Sequence, residues 1–266
     1  MRYFVTSWAF DRTPTTSSAD VEGAVESGMP PVLDAPIPTY PPLELPAPSG
    51  QGKAHNPFTT KRSILSVCRF EPEVLEALNN VIGLSIAISE AMQQGKAALH
   101  PGSMDELIVN LQHKLLQAPF DAYGDLNNAS RYAMLLYIKS LLRSSDLRWI
   151  SVRLANRLQE VLRFMVPYGY PMPLLCWICY MGLFGSIPGA EQWKWFANTL
   201  TTWYVSRRGR QPDWLSIREE LTQIAWIPAV HDESARTQWQ LVENIIILGE
   251  QIKPAGYLSD TLIVIE

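Results

Sequence analysis

The chain has 266 residues, of which 47% are apolar, so it is long enough for one large or two modest domains with a packed core. Its net charge is −4 and its basic residues are scattered, which excludes the concentrated basic face of a direct nucleic-acid binder. Three cysteines are too few for a disulfide framework, and the apolar run before Asp11 is too short for a secretory signal. A cytoplasmic or nuclear location is therefore expected.

The first part of the chain, residues 1–60, differs in composition from the rest. Ser, Thr and Asp dominate as far as Asp20, and eight prolines between Pro30 and Pro48 exclude a persistent helix or a central strand. Apolar residues are interleaved with these prolines, so two alternatives stay open: an extended arm docked on the body, and a disordered arm.

From residue 61 to 266 the spacing of apolar residues predicts one helical domain. Pro72 lies in the first turn of the first predicted helix, Pro119 ends the second, and residues 228–234 are predicted to break the pattern before the last helix. The closing segment TLIVIE is predicted as a stray strand or an extended cover. The predicted class is all-α, a single orthogonal array of about eight helices with an extended Pro-rich N-terminal arm. The predicted helices cover about 71–94, 103–118, 127–143, 149–165, 172–187, 189–204, 214–226 and 235–252.

Residues 172–187, MPLLCWICYMGLFGSI, form a block without a single charge. A helix that is apolar on all sides belongs either in the centre of a large core or in a membrane. A membrane-spanning helix needs roughly 20 apolar residues, whereas Pro171, Pro173 and Pro188 limit this one to about four turns. The block is therefore predicted to be the central core helix, and no membrane span is expected.

Four segments, in this order, resemble the helical regulatory domain of fungal-specific transcription factors: ASRYAMLLYIKSLLR, PLLCWICYMGLFG, EQWKWFANTL and WLSIREELTQIAWIPAV. The resemblance covers about residues 65–245. In that family the domain follows a zinc binuclear cluster of six cysteines that binds DNA. No cysteine precedes Cys68, so this sequence is expected to lack the cluster and to make no direct contact with nucleic acid.

The resemblance implies a regulatory domain that responds to an effector or a partner, and it implies no catalytic residues. Its expected macromolecular partner is a second copy of the chain or an intact transcription factor. An alternative also stays open, in which an upstream exon encodes the zinc cluster; the proline arm is similar to the linker that follows such clusters.

The residues that usually form metal and catalytic sites do not group into a known motif. Cys176 and Cys179 have CxxC spacing but lie inside the apolar block, so they are predicted to be buried structural thiols, and no metal is expected. The four histidines are predicted to be surface or capping residues. His231 is the candidate exception, because Asp232 or Glu233 in a predicted loop beside Trp226 could orient its imidazole. Phosphate-binding loops and nucleophile elbows are absent, and no cofactor is expected.

Aromatic residues are the remaining signal, since eight of the nine tryptophans lie in the second half of the chain. They are interpreted either as core side chains or as the walls of an apolar cavity between helices, where bundles often bind ligands. The predicted lining residues, chosen for their position near the central block, are Tyr137, Trp177, Tyr180, Phe184, Trp195 and Trp226.

Two functions follow from this pattern. The first is a stand-alone regulatory domain that binds an apolar small molecule. The second is a cofactor-independent cyclase or pericyclase, such as a Diels-Alderase of fungal natural-product biosynthesis, which positions its substrate and polarises a carbonyl. The candidate catalytic residues for the second function are Tyr137, Tyr180, Trp177, Trp226 and His231.

Overall fold

The structure is a computed structural model that describes Ala24 and residues 57–94, 101–117, 125–141 and 148–247. These residues contain nine helices and no strand, which confirms the predicted all-α class. The helices are α1 (Pro57–Ser66), α2 (Pro72–Gln94), α3 (Pro101–Gln117), α4 (Asp125–Leu141), α5 (Arg148–Phe164), α6 (Met172–Gly185), α7 (Glu191–Arg208), α8 (Trp214–Thr222) and α9 (Pro228–Ile247).

Helix α1 starts at Pro57, slightly before the predicted boundary at residue 61, and the apolar spacing did not predict it. The rest of the predicted N-terminal arm, apart from Ala24, lies outside the described residues, as does the C-terminal segment 248–266. The alternatives stated for both segments stay predictions.

Helix α6 is the centre of the fold, as its uncharged sequence predicts. Every residue from Met172 to Leu183 is buried, and α1, α4, α5, α7 and α8 all pack against it. Gly182 allows the close approach of α7, because a Cβ at this position would overlap the ring of Phe196. Gly185 does the same for α4, since its Cβ would lie 2.6 Å from Leu136 Cδ2.

Among the described helices, α2 alone combines the length and hydropathy that a membrane-crossing helix needs. In its most apolar window 56% is buried against the rest of the protein, and core helices of water-soluble proteins pass the same test. Helix α6 has 14 residues and is shorter than a membrane-spanning helix.

Three predicted boundaries are wrong by four residues or more. Helix α7 continues to Arg208, beyond the predicted end at Trp203 or Tyr204, and stops where Gly209 takes the left-handed conformation with φ 67°. Helix α8 ends at Thr222 rather than at Trp226. Residues 228–234, predicted as a break, are the first turns of α9; Pro228 is its first residue, where a helix does not need the missing N–H.

Candidate functional site

Aromatic rings from four helices and one turn meet on one side of α6. Trp226, in the turn before α9, lies 4.7 Å from His231 and 5.8 Å from Tyr180, and the Tyr137 ring is 5.3 Å from His231, measured between centroids. We call this set of connected rings the aromatic cluster; its members are Tyr137, Trp177, Tyr180, Phe184, Trp214, Trp226, His231 and Trp239.

The helical repeat explains why α6 supplies three of these rings. Trp177, Tyr180 and Phe184 follow one another at spacings of three and four residues, which places them on one face of the helix. Helix α4 adds Tyr137, α8 adds Trp214, and α9 adds its own rings to the same face. A segment without charges thus contributes a continuous aromatic surface to the protein interior.

The structure brings together five of the six predicted lining residues, together with the candidate base His231. Trp195 is the exception: it lies partly exposed on α7, where its ring packs edge-on against Phe196 at 5.1 Å. Tyr137, Trp177 and Tyr180 are completely buried, and Trp226 is only 3% exposed.

The hydroxyl of Tyr137 is bonded to another group of the protein. Ser85 Oγ lies 2.7 Å from both the Val81 carbonyl oxygen and Tyr137 Oη. The Val81 carbonyl can only accept, so the single hydroxyl proton of Ser85 is donated to it. The Ser85 oxygen then accepts the hydrogen bond that the Tyr137 hydroxyl donates. Burial raises the pKa of Tyr137 well above its ordinary value, which keeps this proton in place.

The other donors of the cluster are also bonded within the protein. Trp177 Nε1 donates to the Ala225 carbonyl and Tyr180 Oη to the Ala235 carbonyl, each at 2.8 Å. Burial, and then the charge of Asp232, raise the pKa of Tyr180. The predicted substrate-polarising donors therefore hold α6 to the turn before α9 and to α9 itself.

His231 lies in the second turn of α9, not in a loop, and only 1% of it is exposed. Its Nδ1 accepts the backbone N–H of Ile227 at 3.2 Å, and its Nε2 lies 3.0 Å from Ser140 Oγ. Because Nδ1 accepts, the neutral ring carries its proton on Nε2 and donates it to Ser140, whose hydroxyl donates to the Tyr137 carbonyl. His231 thus caps the start of α9, as the capping interpretation predicts, although it is not on the surface.

Asp232 does not orient the imidazole of its neighbour. Its Oδ1 accepts from Trp226 Nε1 and its Oδ2 from Arg218 Nε, both at 2.8 Å. The carboxylate therefore joins α8, the turn and α9 at the edge of the aromatic cluster.

An open cleft of about 460 Å³ lies on the outer side of this junction. Trp214 of α8 forms one wall, and the other lining residues come from α9: Asp232, Glu233, Arg236, Thr237 and Gln240. The Trp214 ring lies 6.4 Å from Tyr180 and 6.5 Å from Trp226, so this one side chain borders both the cleft and the aromatic cluster.

The two cysteines of α6 are buried structural thiols, as predicted. Cys176 and Cys179 are fully buried, unbridged, and have a pKa raised by burial, so neither provides a thiolate. Cys179 Sγ donates to the Phe196 carbonyl at 3.4 Å. Within the described ranges, no three His, Cys, Asp or Glu side chains are grouped closely enough to hold a metal ion.

Sequence reasoning missed Trp214 and Trp239 as cluster members, and Arg236, Thr237 and Gln240 as cleft residues. The sequence does place Trp214 at the start of α8, because Asp is a preferred residue at the N-cap position. In the structure Asp213 caps α8 by accepting the Ser216 N–H at 2.7 Å, and Trp214 is the first helical residue. The cleft residues of α9 are polar surface positions, which no sequence pattern distinguishes from other exposed residues.

Comparison of this chain with protein-family models, with curated proteins and with solved structures found no match.

Proposed function

We propose that this protein is a non-catalytic regulatory domain that binds a small molecule in the cleft between α8 and α9. The supporting observation is that Trp214 and Asp232 belong to the cleft and also contact the buried aromatic cluster. A molecule bound there touches the two side chains that join the last two helices to the core.

The lining of the cleft indicates the class of ligand. Its volume of about 460 Å³ falls within the range of small-molecule sites. Trp214 offers an aromatic ring, while Glu233, Arg236 and Gln240 offer polar contacts. This combination fits an aromatic molecule that carries polar or charged groups. It differs from the apolar ligand expected from the sequence, because five of the six lining residues are polar and none is a predicted lining residue.

The proposed regulation acts through the position of α9. Helix α9 is joined to the rest of the protein by the His231 and Tyr180 hydrogen bonds and by the Asp232 contacts with Arg218 and Trp226. A ligand that bridges Trp214 and α9 stabilises this arrangement by a free energy that grows with the logarithm of its concentration above Kd. The resemblance to transcription-factor regulatory domains suggests that a second copy or an intact factor receives the signal.

The cyclase alternative has less support at this site. Carbonyl polarisation requires a donor aimed at the substrate, yet Tyr137, Trp177 and Tyr180 are buried and donate to protein acceptors. Trp226 donates to Asp232 in the same way.

A fragment screen tests the proposal. The melting temperature of the full chain is measured with aromatic fragments of differing charge, beginning with indole, tryptamine and indole-3-acetate, and titration calorimetry gives the affinity of each fragment that raises it. We expect saturable binding that weakens about tenfold in Trp214→Ala, which removes the aromatic wall.

Trp195→Ala is the matched control, because it removes a partly buried indole that lies outside the cleft. This variant should bind the same fragments with unchanged affinity. Binding that is equally strong in Trp214→Ala and in the wild type would contradict the proposed site.

A further inference from the structure

The last residue of α5 and the segment that follows it present three large apolar side chains to solvent. Phe164 is 81% exposed, Val166 66% and Tyr168 74%, whereas Met165 and Pro167 between them are buried. Phe164 and Tyr168 are the two most exposed large hydrophobic side chains among the described residues. We call residues 164–170, which carry these three side chains, the apolar loop; exposure of several large apolar side chains in one short segment marks an interaction surface.

Arg207 fixes the backbone of the apolar loop, together with two backbone hydrogen bonds, from Met165 to Leu162 and from Tyr170 to Pro167. Arg207 of α7 donates from its two terminal nitrogens to the carbonyls of Pro167 and Tyr170. Gly169 turns the chain at φ 103°, with no heavy atom within 4 Å of the position that a Cβ would take. The tip therefore faces open space, and two of its carbonyls already have donors, which lowers the cost of moving the loop into an apolar medium.

Helix α5, which leads into the apolar loop, is basic in a protein that is acidic as a whole. It contains four arginines and one acid, Glu160, whose carboxylate pairs with Arg157 at 3.1 Å. Arg153, Arg157 and Arg163 are exposed, and Arg163 directly precedes Phe164. An apolar tip with a cationic flank is complementary to a surface that is apolar below a layer of negative charge.

We propose that the apolar loop docks on a membrane surface that contains anionic phospholipids. Phe164, Val166 and Tyr168 enter the headgroup region, and the exposed Arg163 beside Phe164 pairs with a lipid phosphate. Surface area favours lipid over a folded protein partner: the two rings bury roughly 150–250 Å² each, whereas a stable protein interface needs about 800 Å² per partner. The contact is interfacial and requires no spanning helix.

Vesicle co-sedimentation of the full chain tests this inference. One set of vesicles contains phosphatidylcholine alone, and the other contains equal parts of phosphatidylcholine and phosphatidylserine. We expect the protein to sediment with the anionic vesicles and to stay in solution with the neutral ones. The double variant Phe164→Ser/Tyr168→Ser should lose at least tenfold in partitioning, and added salt should weaken the wild-type interaction.

Leu215→Ser is the matched control, because Leu215 is 72% exposed but lies on α8, outside the apolar loop. It should partition like the wild type, and circular dichroism establishes that each variant is folded. Absence of wild-type binding to anionic vesicles, or equal binding by the double variant, would overturn the proposal. A dimer of the wild type that the double variant abolishes, without vesicle binding, would also overturn it and assign the loop to contact between copies.

Discussion

Tyr137 and His231 lie with their ring centroids 5.3 Å apart, and Ser140 links the same two residues by hydrogen bonds. Ser140 accepts from His231 Nε2 and donates to the Tyr137 carbonyl, so a polar bridge and a ring contact act between the same helices, α4 and α9. Through His231 Nδ1 this connection extends to the backbone N–H that opens α9. One side chain thus couples the cap of the last helix to the core.

Replacing His231 with alanine should therefore lower stability strongly. The change leaves the Ile227 N–H without its buried acceptor and removes ring contacts with Tyr137 and Trp226, which together should cost about 3 kcal/mol. Urea unfolding measures this difference. His113→Ala is the control: the Nδ1 of His113 has no hydrogen-bond partner, and its loss should cost less than about 1 kcal/mol. Equal losses in the two variants would contradict the assigned role.

The Ser85–Tyr137 pair predicts an asymmetry between two conservative changes. Ser85→Ala leaves the buried Tyr137 hydroxyl without an acceptor and should cost about 2 kcal/mol. Tyr137→Phe leaves Ser85 still bonded to the Val81 carbonyl and should cost about half as much. The free energy of unfolding of both variants decides the point, and a larger loss in Tyr137→Phe would reverse the assigned direction of the bond.

Gly182→Ala should destabilise the contact between α6 and α7. The added methyl overlaps the buried ring of Phe196, and overpacking of this kind costs about 1–3 kcal/mol. Combining it with Phe196→Leu should cost less than the sum of the two single changes, because the smaller side chain makes room for the methyl. Additive losses in the double-mutant cycle would show that the two residues do not interfere.

Lys61 predicts a pH dependence of stability. Burial lowers its pKa from 10.5 to about 8, and its ammonium donates to the Ile224 carbonyl at 2.7 Å. Between these two values the unfolded chain binds more protons than the folded protein, so this residue makes stability rise as pH increases from about 8 to 10.5. The gain has an upper limit of roughly 3 kcal/mol.

Lys61→Met isolates this contribution, since titrations of other groups are common to both proteins and cancel in the difference. Wild type should gain stability relative to the variant across that pH window, as measured by chemical unfolding at several pH values. A difference that stays constant with pH would show that Lys61 titrates normally.

The central part of the aromatic cluster can be predicted from the sequence, because helical periodicity determines which residues of α6 share a face. Trp177, Tyr180 and Phe184 share a face of α6 by spacing alone, and the lack of charge around them requires that the helix be buried. Trp195 is predicted in the same group because it is near the central block in sequence. In the structure it does not join the cluster, because residues that are close in sequence do not necessarily point to the same side of a helix. The buried face of α7 carries Trp193, Phe196, Leu200 and Trp203, and Trp195 lies off it.

The remainder of the site depends on tertiary structure. The sequence predicts a break at Pro228, but Pro228 begins α9. His231 therefore lies on the buried face of a helix rather than in a loop. Arg236, Thr237 and Gln240 line the cleft only because Trp214 of another helix lies against the same surface. No local sequence pattern encodes this contact between α8 and α9, so the cleft is defined only by the tertiary structure.

We propose that a small molecule binds beside Trp214 and is sensed by the aromatic cluster. The most direct measurement is titration of the full chain, labelled with ¹⁵N-tryptophan, with the strongest fragment from the screen while the indole N–H resonances are followed. We predict saturable shifts of the Trp214 and Trp226 signals, with Trp193, which is buried on α7, unchanged. Binding that leaves Trp214 and Trp226 unshifted, or that shifts Trp193 instead, would contradict the account.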